Sequence, residues 1–270
     1  MTDQATDQAT APVLLDVDDG VARLRLNRPE ASNALNLPLL KALFDAIMRC
    51  HGDPAVRALL LSGEGANFCG GGDVRDFAGK GERLPDYLRE ATAYLQAAAA
   101  GLLHLEAPVV TVVQGWATGG GGFGLVCASD LVLAAESARF MLGATRVGMA
   151  PDAGLSVTLQ RLVGHRRALE IALTNPVLDA SRAVELGLVT RIVPDRALLD
   201  EGLALARDLA AGPTRALAAT KRLLWTGLGA AVETCLPDEA RTVSELSGTA
   251  DAREGLAAVS ARRAPRFTGR

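Results

Sequence analysis

An α/β protein with a helical C-terminal third is what this 270-residue chain predicts, on three observations. Apolar strand patterns alternate with helical periodicity through the first half, helical periodicity alone fills the part after residue 155, and two glycine-rich segments each follow an apolar strand pattern. Residues 13–17 and 21–26 alternate apolar and polar side chains around Asp18-Asp19-Gly20, turn chemistry that predicts a β-hairpin. Asn36 is placed to cap a helix in which Leu39, Leu40, Leu43, Phe44, Ile47 and Met48 recur at three-and-four spacing, and Gly52 and Pro54 stop it. A short apolar strand is expected over 57–62 and a glycine-rich loop over 63–73. Then come a long helix over 87–105, ended by Pro108, a β-branched strand over 109–113, and the glycines 115 and 119–122. A short helix over 123–128 leads to a strand over 131–134. Helices follow over 155–163, 165–174, 180–186, 198–211, 214–225, 231–247 and 251–260.

Residues 1–12 repeat Thr-Asp-Gln-Ala without an apolar pattern and are expected to form a disordered tail. The remainder divides into a core over 13–200 and a helical region over 201–270, whose uneven apolar faces suit packing on another subunit. The 28 Lys+Arg and 31 Asp+Glu leave a formal charge of −3 with no basic run, which excludes the electrostatic footprint of a dedicated nucleic-acid binder. The uncharged stretch 107–129 is long enough to raise a membrane span, but it holds a proline and a glycine run that make it a poor helix, so no membrane association is expected. Cys50, Cys69, Cys127 and Cys235 show no CxxC spacing and no secretory leader pattern is read, so reduced thiols and a cytoplasmic setting are expected.

The motif Gly119-x-Gly121-x-x-Gly124 fits a dinucleotide fingerprint. Only about five residues separate it from the next strand, where a crossover helix needs about ten; nicotinamide or flavin binding is not expected. The three histidines show no ligand spacing, and neither Gly-x-Ser-x-Gly, a Walker loop, an EF-hand nor HExxH occurs. Catalysis must then rest on carboxylates and backbone dipoles. The segments 67–73 and 115–122 can each aim a peptide N–H at one developing oxyanion, a donor worth about 3–4 kcal/mol in other enzymes.

Taken in order, Arg28-Pro29-Glu30-Ala31-Ser32-Asn33-Ala34-Leu35-Asn36, Asn67-Phe68-Cys69-Gly70-Gly71-Gly72-Asp73 and Val113-Gln114-Gly115-Trp116-Ala117-Thr118-Gly119-Gly120-Gly121 resemble the crotonase (enoyl-CoA hydratase/isomerase) superfamily. The similarity continues through Ala138-Arg139-Phe140, Gly148-Met149-Ala150-Pro151, Ala183-x-Glu185-x-Gly187-Leu188-Val189 and Arg263-x-Pro265-x-Phe267-x-Gly269. The resemblance implies a ββα spiral core binding an acyl-CoA thioester, a helical C-terminal trimerisation region, a homotrimer or homohexamer, and no metal or redox cofactor.

Carried over residue by residue, the resemblance makes Gly72 the first oxyanion donor. The second is Gly120 counting forward from Gly115, or Gly121 counting back from Asp130, which is preferred. Arg28, Cys69, Gly70, Gly72, Asp73, Val74, Trp116, Gly120 and Gly121 become the acyl-CoA contacts. The two glutamates of the family's hydratases fall on Gly124 and Ala144, so the groups that hold and deprotonate water are missing. Asp152, after Pro151, resembles the single acid of the family's isomerases and of a dehalogenase; a helix cap for 155–163 is its other reading. Asp73 also reads as a turn cap, and Arg28 as a solvated charge or a phosphate partner. Phe68, Phe77, Trp116, Phe123, Phe140 and Met141 are candidate pocket walls. The expected activity is acyl-CoA isomerisation through an enolate, in fatty acid metabolism. The alternatives are hydration or other thioester chemistry such as dehalogenation, and acyl-CoA binding without turnover. Should Asp152 not act, Glu136, Asp76 and Asp86 are the next carboxylates.

Overall fold

The hairpin forms as expected in the computed structural model, which describes residues 11–270. Of the tail expected over 1–12, residues 1–10 lie outside the described residues. β1 (Val13–Asp18) and β2 (Val21–Leu26) pair antiparallel, Val13 opposite Leu26, around Asp19 and Gly20, which both take the positive φ of a two-residue hairpin turn. Four parallel strands extend the sheet: β3 (Ala58–Gly63), β4 (Val109–Val113), β6 (Leu131–Ala135) and β9 (Arg191–Val193), in the order β1-β2-β3-β4-β6-β9. β3 and β4 are buried along nearly their whole length, which is why both read as mainly apolar runs, interrupted by the buried Ser62 and Thr111.

A second, small sheet joins β5 (Trp116–Thr118), β7 (Arg139–Met141) and β8 (Leu178–Asp179). These strands and β9 are two or three residues long, too short to show a period, and they were not expected. α1 (Leu37–Gly52) is capped by the Asn36 side chain, which accepts from Leu39 N at 3.1 Å, and packs beside β1, β2 and α3 (Leu84–His104). α3 begins three residues before the expected helix, with Pro85 in its first turn where a missing N–H costs nothing. A short α2 (Val74–Ala78), capped by Asp73, follows the expected loop and was not expected.

α4 (Gly119–Cys127) starts at the glycine run and not at residue 123 as its propensities suggested. α5 (Leu155–Val163), α6 (His165–Thr174) and α7 (Ala180–Glu185) follow. α8 (Leu198–Ala210) contains the boundary expected at residue 200 and packs on β3 and β4, so its chain belongs with the sheet. Beyond it α9 (Thr214–Gly227), α10 (Val232–Ser247) and α11 (Ala250–Ser260) bury few side chains. α9 is tied to the sheet by Lys221, which reaches Asp130 at 2.7 Å and the Leu102 carbonyl at 2.9 Å with both charged side chains largely buried. Among the described residues no helix is long and apolar enough to cross a membrane.

Candidate active site

Segment 68–73 is wedged between two others that fix its carbonyls and amides. Cys69 N donates to Trp116 O and Thr118 N to Cys69 O; Gly70 N donates to Ser32 O and the Thr118 hydroxyl to Gly70 O. Leu35 then closes a parallel bridge, its N–H on Gly71 O at 2.7 Å and its carbonyl accepting from Asp73 N at 3.1 Å. In such a bridge the residue opposite, Gly72, turns its own N–H away from Leu35. That N–H has no acceptor among the described residues. It faces the start of α4: a Cβ on Gly119 would stand 3.4 Å from the Gly72 nitrogen.

The first-turn amides of α4, those of Gly119, Gly120 and Gly121, likewise lack intrahelical acceptors and carry the positive end of the helix dipole. Each glycine of the run is required by a different neighbour. A Cβ on Gly119 would meet Gly71 Cα at 2.9 Å, one on Gly120 the Asp152 carboxylate, one on Gly121 Leu35 Cδ1, and one on Gly122 the Cys69 carbonyl at 2.5 Å. At Gly119 and Gly122 the obstacle is backbone, while at Gly120 and Gly121 a methyl would have to displace the Asp152 carboxylate or the Leu35 side chain, so without side chains the backbone amides of two segments approach one space.

That space is a chamber of about 550 Å³ whose lining includes Gly70, Gly72, Gly120, Gly121 and Asp152. A cavity of this size suits a ligand-binding site. Asp152 is half-buried; its Oδ1 is buried without a partner, and burial holds its carboxyl above the usual carboxylate range, partly offset by its own N–H. The helix-cap reading fails, since Gly154 occupies the cap of α5 and no side chain caps it. Ala153, at φ +52°, sits in the left-handed region that a residue with a Cβ adopts only at a cost. Its Cβ fills the space a side chain at Gly124 would need, 2.5 Å from that Cβ position. Among the described residues that line the chamber, Asp152 and Arg146 are the charged ones.

Several expected contacts lie elsewhere. Cys69 is fully buried, its thiol donating to Asn33 O at 3.3 Å and pushed up to about 12 by burial, and it does not line the chamber. Trp116 is exposed outside it, and Phe68, Phe123 and Phe140 are core side chains; of the proposed walls, Phe77 and Met141 line the chamber. Val74 lines it too. Arg28 donates to Ala34 O at 2.6 Å and to Asp73 Oδ2 at 3.2 Å, so both residues brace the loop around Gly72 and neither lines the chamber. Asp76 is taken by Lys80 and Tyr87, Asp86 pairs with Arg89, and Glu136 is exposed away from the chamber.

Sequence reasoning missed Asn33, fully buried at φ +54°, whose side-chain amide donates to the carbonyls of Glu64, Asn67 and Phe68 and whose Oδ1 accepts from Arg28 N. It also missed Leu35 and the α3 residues Leu88, Ala91, Thr92 and Leu95, which line the chamber. An asparagine four residues after a proline, a residue type that accepts the left-handed region, was a readable signal for the first; the α3 stripe reads as ordinary core.

A family model for enoyl-CoA hydratase/isomerase matches residues 16–270. A Rhodobacter capsulatus protein named "Probable enoyl-CoA hydratase" is 40% identical over 255 residues, 94% of this chain and 97% of the other. The 1,2-epoxyphenylacetyl-CoA isomerase of Escherichia coli is 35% identical over 260 residues, 96% and 98% of the two chains. A solved enoyl-CoA hydratase from Bacillus anthracis superposes with a TM-score of 0.90 at 30% identity, covering 96% of this chain and all of that one.

Proposed function

The chain belongs to the enoyl-CoA hydratase/isomerase family, and on that premise we propose that it is an acyl-CoA isomerase that moves a double bond with Asp152 as its single base. The thioester oxygen accepts from the amides of Gly72 and Gly121, with Gly120 beside them. Asp152 removes a proton from C2 of a 3-enoyl thioester; the C–H electrons form the dienolate, whose negative oxygen the two amides stabilise. The protonated Asp152 returns the same proton to C4, leaving the 2-enoyl thioester, so atoms and charge balance without water or a cofactor. A carboxylate whose pKa is raised by burial suits both transfers.

The observation that carries this reading is the unpartnered Asp152 Oδ1 beside Gly120 in a chamber where the described residues offer no second carboxylate. Hydration is disfavoured because the space where a glutamate at position 124 would begin is filled by Ala153. The relative named as an epoxyphenylacetyl-CoA isomerase supports isomerisation, whereas the one named as a hydratase supports only the shared thioester chemistry. The protein works as a homotrimer or a dimer of trimers in this reading, its last helices forming the contact. Asp152→Asn, which keeps the size of the side chain, is expected to retain acyl-CoA binding and lose at least about a hundredfold in 3-enoyl to 2-enoyl turnover. Near-normal turnover in that variant, or water addition as the main reaction of the wild type, overturns the proposal.

A further inference from the structure

Four residues of α3, Leu88, Ala91, Thr92 and Leu95, line the chamber at i, i+3, i+4 and i+7 spacing and so form one stripe. Seven residues of helix advance about 10 Å. Thr92 is the polar member, but its hydroxyl donates to Leu88 O at 2.7 Å, so the stripe makes no hydrogen-bond demand on a ligand. Met141, Ala144, Val147, Met149 and Ala150 line the same chamber. Apart from Asp152, the charged residue among the described lining is Arg146, on the turn 144–147, whose residues 145–147 are exposed and where Arg146 donates to Asn175 O. Nothing there offers the convergent polar groups that a hydroxylated or carboxylated acyl group requires.

Phe77 is the one aromatic ring in the lining among the described residues. It is set edge-on to Tyr87, centroids 6.0 Å apart, and backed onto Gly72, a Cβ on which would lie 2.7 Å from the ring. Stacking of an aryl acyl group between ring faces is therefore not provided for.

We propose that the chamber selects an unbranched aliphatic acyl group of medium length, lying along the Leu88–Ala91–Thr92–Leu95 stripe. An extended carbon chain advances roughly 1.2 Å per bond, as extended backbone does, so the stripe matches about eight bonds. The inference rests on the reading that this chamber holds the acyl part of a thioester, but not on which proton Asp152 moves.

Calorimetric binding of saturated acyl-CoA thioesters of four to twelve carbons tests it, because these ligands undergo no isomerisation. The dissociation constant is expected to fall about fourfold per added methylene, up to about eight carbons, and then to level. Thr92→Phe, at a half-buried position of the lining, is expected to weaken the eight-carbon ligand toward the four-carbon value and leave the four-carbon ligand unchanged; Leu88→Phe should act the same way. A flat series, or tighter binding of phenylacetyl-CoA than of the eight-carbon ligand, overturns the inference even where isomerase turnover is intact. A graded series in a protein that fails to isomerise 3-enoyl thioesters overturns the catalytic reading and leaves this one standing.

Discussion

The glycine run of α4 and the last three helices are opposites in packing. At Gly119–Gly122 no position has room for a methyl group, each being closed by a different neighbour. In α9–α11, by contrast, Leu224, Val232, Leu236, Val243, Leu256 and Val259 stand more than half exposed, although their spacing is that of amphipathic helices. The first region is over-determined by its own chain, which suits backbone donors that must stay fixed while charge develops beside them. The second leaves these apolar side chains uncovered, the kind of surface that the proposed trimer contact would bury.

The most severe way to break this contrast is to add one methyl where none fits. In Gly120→Ala the new Cβ would occupy the place of the Asp152 carboxylate, and turnover is expected to fall at least about a hundredfold because the base is displaced; steady-state kinetics on 3-enoyl thioesters checks it, and unchanged turnover would show that the run is not rigid. At the other region, Leu224→Glu and Leu256→Glu are each expected to shift the assembly toward monomer, read by light scattering across concentrations. A wild-type protein that is monomeric at all concentrations would remove the second half of the comparison.

A glutamate placed at position 124 probes the boundary between the site and its support. Gly124→Glu is expected to cost about 1–3 kcal/mol through overpacking against Ala153 and to gain no water-adding activity; denaturant melts and a hydration assay give both readouts. A pH series separates Asp152's cost from its use. Its carboxyl ionises near 3.9 in the unfolded chain and above that when folded, so the native state loses relative stability as pH rises from the first value through the second. Asp152→Asn should accordingly be more stable than wild type at neutral pH, with the difference vanishing below about pH 3.9, while wild-type turnover rises through the folded value. The smallest effect is expected at Gly52, the end of α1, where a Cβ meets nothing within 4 Å. Gly52→Ala should stabilise by about 0.5–1 kcal/mol, visible as a small rise in melting temperature.

How far each part was legible in the chain follows from how local its cause is. The cap at Asn36 and the hairpin turn at Asp19-Gly20 are local chemistry, and both were readable. Gly72 and Asp152 were readable as motif positions, although their shared chamber was not. Cys69 and Trp116 sit within the same motifs yet point into the core and into solvent, because the bridge between Cys69 and Ala117 sets alternate side chains on opposite sides. Arg28, legible as a charge beside a proline, is turned toward Asp73 by a pairing 45 residues away.

By itself, then, the sequence determined the strands and helices long enough to carry a period, the order of the glycine segments, and the absence of carboxylates at positions 124 and 144. Tertiary structure alone decided that a helix begins in four consecutive glycines. Their intrinsic propensity opposes it, but Gly71, Asp152, Leu35 and Cys69 occupy every space a side chain would need. It alone decided, too, that an unremarkable stripe of α3 became a wall of the chamber. Periodicity reports which face of an element is covered; what covers it depends on segments distant in the chain.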